Sequence, residues 1–220
     1  MTVAENVRAV RERIERAGGN PDEITIVAVT KGFGPDVCQA ALDAGLKILG
    51  ENRVQEAVAK MDAIKGAEWH LVGHLQTNKV RLAAGRFVLI QSVDSRHLAD
   101  ALARINVEQK VLVEVNVARE PRKTGVEPAE APRLIDEVAE MLDLQGLMAM
   151  APADRNPSPA FEELRGLRDQ AQERLGKPLP ILSMGMSSDF EAAVRAGSTM
   201  VRLGTVLFGQ RPVRAAAISK

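Results

Sequence analysis

Apolar and polar positions along this chain follow two periods in turn. Val3, Val7, Val10 and Ile14 recur at helical spacing, which predicts an amphipathic helix over the first 17 residues. Gly18-Gly19-Asn20-Pro21 ends it. Short apolar runs then alternate with helical patterns. The runs are ITIVAVT (24–30), KILG (47–50), EWHLVG (68–73), FVLIQSV (87–93), KVLVEVNV (110–117), LQGLMAM (144–150), LPILSMG (179–185) and TMVRLG (199–204), eight in all. Helices are predicted at 36–44, 53–64, 77–84, 95–104, 128–140, 159–175, 188–196 and, after the last run, 205–209.

Strands alternating with helices indicate parallel βαβ units. Eight of them predict an α/β fold, a single (β/α)8 TIM-type barrel with an extra N-terminal helix. The rival is an open doubly wound sheet, which needs a Gly-rich loop after its first strand. KGFGPD, after the first run here, lacks the third glycine of that loop. No domain-sized linker interrupts the chain, so residues 1–220 are expected to form one domain. AREPRKTG (118–125) and APADRNPSP (151–159) read as loops after strands five and six. In a barrel they lie on the C-terminal face, where ligands bind.

Composition narrows the function. An apolar content of 45% is enough for one sizeable core. Acidic and basic residues balance at 29 each, which argues against electrostatic capture of nucleic acid or an anionic membrane. Cys38 has no partner cysteine, which fits a reducing compartment. No apolar run approaches the roughly 20 residues that cross a bilayer. The first residues are charged throughout, unlike a signal peptide. The expected location is the cytoplasm.

Two features carry chemistry. Lys31 ends the first strand, next to Gly32. A lysine there is ordinarily a snorkelling surface residue. An amine drawn out of water is costly to keep charged, however, and a neutral amine adds to aldehydes. The second feature is a pair of turns after strands seven and eight. In GMSSD (185–189), Ser187, Ser188 and Asp189 can cap the following helix, and RLGT (202–205) precedes a helical turn. Each could be an ordinary cap. As a pair on the last two strands of a barrel, they match a recurrent phosphate site. Barrel closure sets strand one beside strand eight, so the amine and the anion cradle point to an aldehyde bearing a phosphate.

These stretches carry a resemblance. AVTKG, GENRVQE (50–56), EWHLVGHLQTNK (68–79), GLMAM (146–150) and LSMGMSSDFEAAVRAGSTMVRLGTVLFG (182–209) resemble the pyridoxal 5'-phosphate homeostasis protein family, related to the barrel domain of alanine racemase. The resemblance runs from about residue 5 to residue 212. It implies pyridoxal 5'-phosphate (PLP) held as a Schiff base on Lys31, and a role in vitamin B6 homeostasis without established turnover. It places Asn52 near the cofactor ring. Ser187 and the backbone of Met186 hold the phosphate, joined by Gly204 and Thr205. Arg202 faces the pyridine nitrogen, and Met148 and His70 form pocket walls. For His70 and His74 simple packing or surface hydrogen bonding is the competing reading, and Trp69 reads as core. The loop keeps the family's Lys-x-Gly as Lys123-Thr124-Gly125. The chain departs from the family pattern at GHLQ and ENRV, where other members often carry proline or tyrosine.

Three functions compete. The first is a PLP carrier or regulator that serves apo PLP-dependent enzymes, expected to be a monomer with no nucleic-acid or membrane partner, no metal and no catalytic residue. The second is a low-activity PLP-dependent amino-acid racemase. The third is a phosphate-binding barrel in which Lys31 pairs with an anion. An arginine at the pyridine nitrogen disfavours its protonation and weakens the electron sink that PLP chemistry needs. Racemases of the alanine type also use a tyrosine from a second domain as the opposing base, and this chain contains no tyrosine. Cys38, within a predicted helix, is a poor substitute.

Overall fold

The computed structural model describes residues 1–210 except Arg122 and Ala153. Those two residues, in the predicted loops 118–125 and 151–159, and residues 211–212, at the end of the motif resemblance, lie outside the described residues.

All eight predicted strands form. They are β1 (Thr25–Val29), β2 (Ile48–Glu51), β3 (Glu68–Leu71), β4 (Leu89–Val93), β5 (Lys110–Glu114), β6 (Asp143–Met148), β7 (Ile181–Ser183) and β8 (Met200–Leu203), parallel and closed into a barrel in chain order. The closing pair sets Thr25 against Met200 and Val27 against Arg202, which brings the segment after β1 beside the segment after β8. The helices outside are α1 (Val3–Arg16), α2 (Pro35–Asp43), α3 (Val54–Met61), α4 (Val80–Ala83), α5 (Arg96–Ala103), α6 (Ala131–Met141), α7 (Ser158–Leu175), α8 (Phe190–Arg195) and α9 (Thr205–Phe208).

Of the helix boundaries that moved, two have clear local reasons. The helix expected over 77–84 is a 3-10 turn, Thr77–Lys79, followed by the short α4. Thr77 and Asn78 favour turns over helix interiors. The helix expected from 128 begins at Ala131, because Pro132 has no N–H and fits only the first turn.

The core has two compartments. Strand side chains facing outward pack with the helices, with Leu49, Leu71, Ile90, Phe161 and Phe190 fully buried. Inside the barrel Val27, Leu89, Leu112, Met148 and Met200 form a smaller cluster. The extra helix α1 opens with a capping box: the Thr2 hydroxyl accepts from Glu5 N, and Glu5 Oε2 accepts from Thr2 N at 2.7 Å. Its apolar stripe buries Val7, Val10 and Ile14, at about 1.5–3 kcal/mol for each large side chain. Asn6 Nδ2 donates to Leu207 O at 2.8 Å and so ties α1 to α9, the turn that opens the barrel mouth after β8.

Candidate functional site

At the C-terminal mouth the strand ends enclose a cavity of about 510 Å³. Lys31, Asn52, Met186, Ser187, Arg202, Gly204 and Thr205 all line it, joined by Phe33, Val72 and Met150. Met148 does not. It is 1% exposed in the barrel interior, one layer below the mouth: β6 ends at Met148, and Met150, two residues on and so on the same face, reaches the mouth instead. His70 is buried below the cavity, where its Nδ1 lies 3.0 Å from Gln91 Nε2. Burial lowers its pKa to about 4, so it is neutral, as the packing reading requires. His74 meets Asp94 at 3.0 Å on the rim. Trp69 is core.

Lys31 is half-buried, and its flanks are held from beneath. The Lys60 ammonium donates to Thr30 O at 3.0 Å, to Glu51 Oε1 at 2.7 Å and to Glu56 Oε1 at 3.2 Å. Thr30 Oγ1 donates to the same Glu51 oxygen at 2.6 Å, and Glu56 accepts from Gly32 N. Thus the residue before Lys31 and the residue after it are both fixed to one buried ion cluster. Burial raises the pKa of Glu51. Burial alone would lower that of Lys60, but the two carboxylates outweigh it and keep the ammonium charged. Sequence reasoning missed Thr30, Glu51, Glu56 and Lys60. The available signal was the Glu56–Lys60 pair at i, i+4 in GENRVQEAVAK, which ordinarily marks a solvated helix face.

The opposite wall is built from the last two βα turns. Gly185 has φ +96°, and a Cβ there would lie 2.9 Å from Phe190 Cα, so only glycine lets the turn fold onto α8. Asp189 Oδ1 accepts from Met186 N at 2.6 Å, and Arg202 N donates to Gly185 O at 2.9 Å. Ser187 Oγ accepts from Gly204 N at 3.3 Å and from Val206 N at 3.2 Å. The hydroxyl and the two amides therefore gather at one spot, with the amides given to the Ser187 oxygen. The Met186 N–H is likewise given, to the shorter bond with Asp189, so Met186 contributes a cavity wall.

Arg202 spans the interior. Its Nη1 donates to Ser183 O at 2.8 Å and Ser183 Oγ at 2.7 Å, and its Nη2 to Ala149 O at 2.8 Å. Burial lowers its pKa to about 10, which still leaves it protonated at neutral pH. Ser183 Oγ passes the chain on to Gln91 Oε1 at 2.7 Å, so the guanidinium is locked in place before any ligand arrives. Asn52 is positioned by the close approach of Gly73, where a Cβ would meet Asn52 O at 2.4 Å.

Lys31 and Arg202 put nitrogen donors on the walls, Ser187 and Gly204 form an anion cradle, and Phe33 stacks edge-on with Phe208 at 5.6 Å beside the opening. The donor set suits a flat molecule carrying a phosphate and a carbonyl, and the volume lies in the usual range for small-molecule sites.

The chain is similar to known proteins along nearly its whole length. Residues 2–212 match the family described as alanine racemase, N-terminal domain. The pyridoxal phosphate homeostasis protein of Aquifex aeolicus is 43% identical over 96% of this chain and 99% of its own length. That of Escherichia coli K12 is 37% identical, with 95% and 97% covered. PipY of Synechococcus elongatus, solved with PLP bound, superposes with a TM-score of 0.83 at 33% identity, covering 94% of this chain and all of PipY. Alanine racemase of Corynebacterium glutamicum shares the fold, with a TM-score of 0.78 at 20% identity over 99% of this chain and 62% of its own. The chain belongs to the pyridoxal phosphate homeostasis protein family, within the alanine racemase N-terminal domain class of barrels.

Proposed function

We propose that this protein binds PLP at the barrel mouth and acts as a carrier that keeps vitamin B6 in balance. The observation that carries this reading is the shared cavity: the half-buried Lys31 opens onto the same 510 Å³ space as Ser187, Gly204 and Arg202. PLP, when bound, supplies an aldehyde that condenses with a lysine amine as a Schiff base. Lys31 provides that amine, and the Lys60 cluster holds its backbone still. The Ser187 hydroxyl would take the phosphate, joined by the N–H groups of Gly204 and Val206 if they exchange the Ser187 oxygen for it, and Thr205 lines the edge. Asn52 and Met150 flank the ring. Arg202 presents a fixed positive charge toward the ring nitrogen and so keeps it unprotonated, which suits storage better than carbanion chemistry.

The same residues favour a non-catalytic role. No tyrosine is available as an opposing base, and Cys38 is fully buried behind β1. The carrier reading includes delivery to apo PLP-dependent enzymes from the cytoplasm by a monomer with an open mouth. Titration with PLP should give a visible absorbance band, and borohydride reduction followed by peptide mass mapping should place the adduct on Lys31. An adduct elsewhere would overturn the assignment. Incubation of loaded protein with L- or D-alanine should leave the enantiomers unchanged. Interconversion at roughly 1 per second or faster would establish a racemase instead.

A further inference from the structure

A second cavity, of about 820 Å³, lies outside the barrel mouth, where the end of α1, the β6–α7 loop and α8 meet. Arg13, Arg16, Arg155 and Arg195 line it, with Asn156, Ser158 and Ser188. Two carboxylates are also present, and both are engaged. Glu191 Oε1 is 2.7 Å from Arg13 Nη2, and Asp189 Oδ1 is turned to the Met186 N–H. Arg155 Nη2 donates to Ala118 O at 2.7 Å, which anchors that side chain at the loop. Arg16 has only Glu12, 4.0 Å away on its own helix, and Arg195 has no side-chain partner among the described residues. The chain as a whole is neutral, so this concentration of cations is local.

Basic residues in a last helical turn commonly offset the negative end of the helix dipole, and Arg13, Arg16 and Arg195 hold such positions. That role needs no concavity. It also leaves Arg155, on a loop, unexplained. Guanidinium groups from three separate elements converging on one hollow, with two serine hydroxyls and a side-chain amide, form a donor-rich surface whose planar forks fit phosphate oxygens in pairs. The volume is that of a small-molecule site. A protein partner would instead need a contact area of about 800 Å² on this side.

We infer that this arginine-lined cavity is a second anion site, which takes a phosphorylated small molecule and borders the first site at Ser188. It does not depend on PLP binding at the barrel mouth, because of its lining residues only Ser188 also lines the first cavity.

The test is a titration of the 15N-labelled full chain with inorganic pyrophosphate at low ionic strength, following backbone amides and arginine Nε–H signals. Saturable shifts are expected at Ser158, Ser188 and Ala192 and at the Nε–H of Arg16 and Arg195. The Arg16→Ala, Arg195→Ala double variant should bind at least tenfold more weakly at those signals, while shifts at Gly204–Val206, which report the first cavity, persist. Both arginines are exposed, so the variant's spectrum should otherwise match the wild type. If it does not, Arg195→Gln alone serves, with an intermediate weakening expected. Shifts that fail to saturate, that are confined to Gly204–Val206, or that survive the substitutions would overturn the inference. So would a poly-glutamate peptide that saturates these signals where pyrophosphate does not, since that would mark an acidic protein partner.

Discussion

The Lys60 ammonium sits 2.7 Å from Glu51 Oε1, on the same oxygen that takes the Thr30 hydroxyl, directly beneath the strand end that presents Lys31. Glu51 is fully buried and its second oxygen has no hydrogen-bond partner, so the pair is finely balanced. Lys60→Met removes the ammonium that compensates the buried Glu51 carboxylate. The expected cost is about 3–5 kcal/mol in urea unfolding. PLP affinity should fall with it, because Thr30 and Gly32 lose their anchors. Adding Glu51→Gln should restore much of the stability. A single variant within 1 kcal/mol of wild type would show that the cluster is solvated.

Lys31→Ala is expected to fold normally and to lose the visible band that PLP produces. Lys31 is half-buried at the rim, so its removal opens no core cavity. Melting followed by circular dichroism checks the fold, and absorbance checks the link. A yellow Lys31→Ala protein would mean that another lysine carries the cofactor.

Ser187→Ala should weaken PLP binding by roughly 1 kcal/mol, about fivefold. The direction is a balance. Ser187 Oγ holds the N–H groups of Gly204 and Val206, so removing it frees two donors for the phosphate while deleting the hydroxyl's own bond. A hydrogen bond to a charged acceptor is the stronger of the two effects. Binding unchanged or tighter in an absorbance titration would place the phosphate elsewhere.

Acid should destabilise the barrel through His70. Its pKa is about 4 when folded, against an ordinary 6.5 for histidine, because the buried ring resists charge. Between these values the unfolded chain holds more protons than the native one. Stability therefore falls as pH drops from about 6.5 toward 4, by up to roughly 3 kcal/mol from this group. His70→Gln should flatten that limb of the stability–pH curve even if it lowers the whole curve. An unchanged slope would assign the acid sensitivity to other groups.

Arg202→Met strips three hydrogen bonds from Ser183 and Ala149, although Ser183 O keeps the Ala149 N–H at 3.1 Å. A loss of about 2–4 kcal/mol is expected. The PLP absorbance band should move as well, because the fixed charge near the ring is gone. A destabilised variant with an unmoved band would limit Arg202 to bracing β7 and β8.

Much of the site could be read from the chain itself. Lys31 followed a strand, and Ser187, Gly204 and Thr205 lay in turns whose small and hydroxyl residues announce anion binding. What could not be read was depth and burial. Met148 and Met150 lie two residues apart and so share a face, and only the closed barrel decides which of them sits at the mouth. Lys60 looked like half of an exposed i, i+4 pair, because nothing local reveals that α3 folds it under β1 and β2.

The alternation of β-branched runs with amphipathic helices determined the barrel, since each run must bury both faces and each helix only one. It determined the strand order too, since short connections join neighbours. Tertiary structure alone decided the placement of charge. Closure of β1 on β8 brought Lys31 to the turns after β7 and β8, burial turned Lys60, Glu51 and Arg202 into fixed braces, and the meeting of α1, α8 and the β6–α7 loop gathered four scattered arginines around one hollow. Local sequence sets hydrogen bonds and periodicity over a few residues. Electrostatic environment depends on neighbours that are distant in the chain.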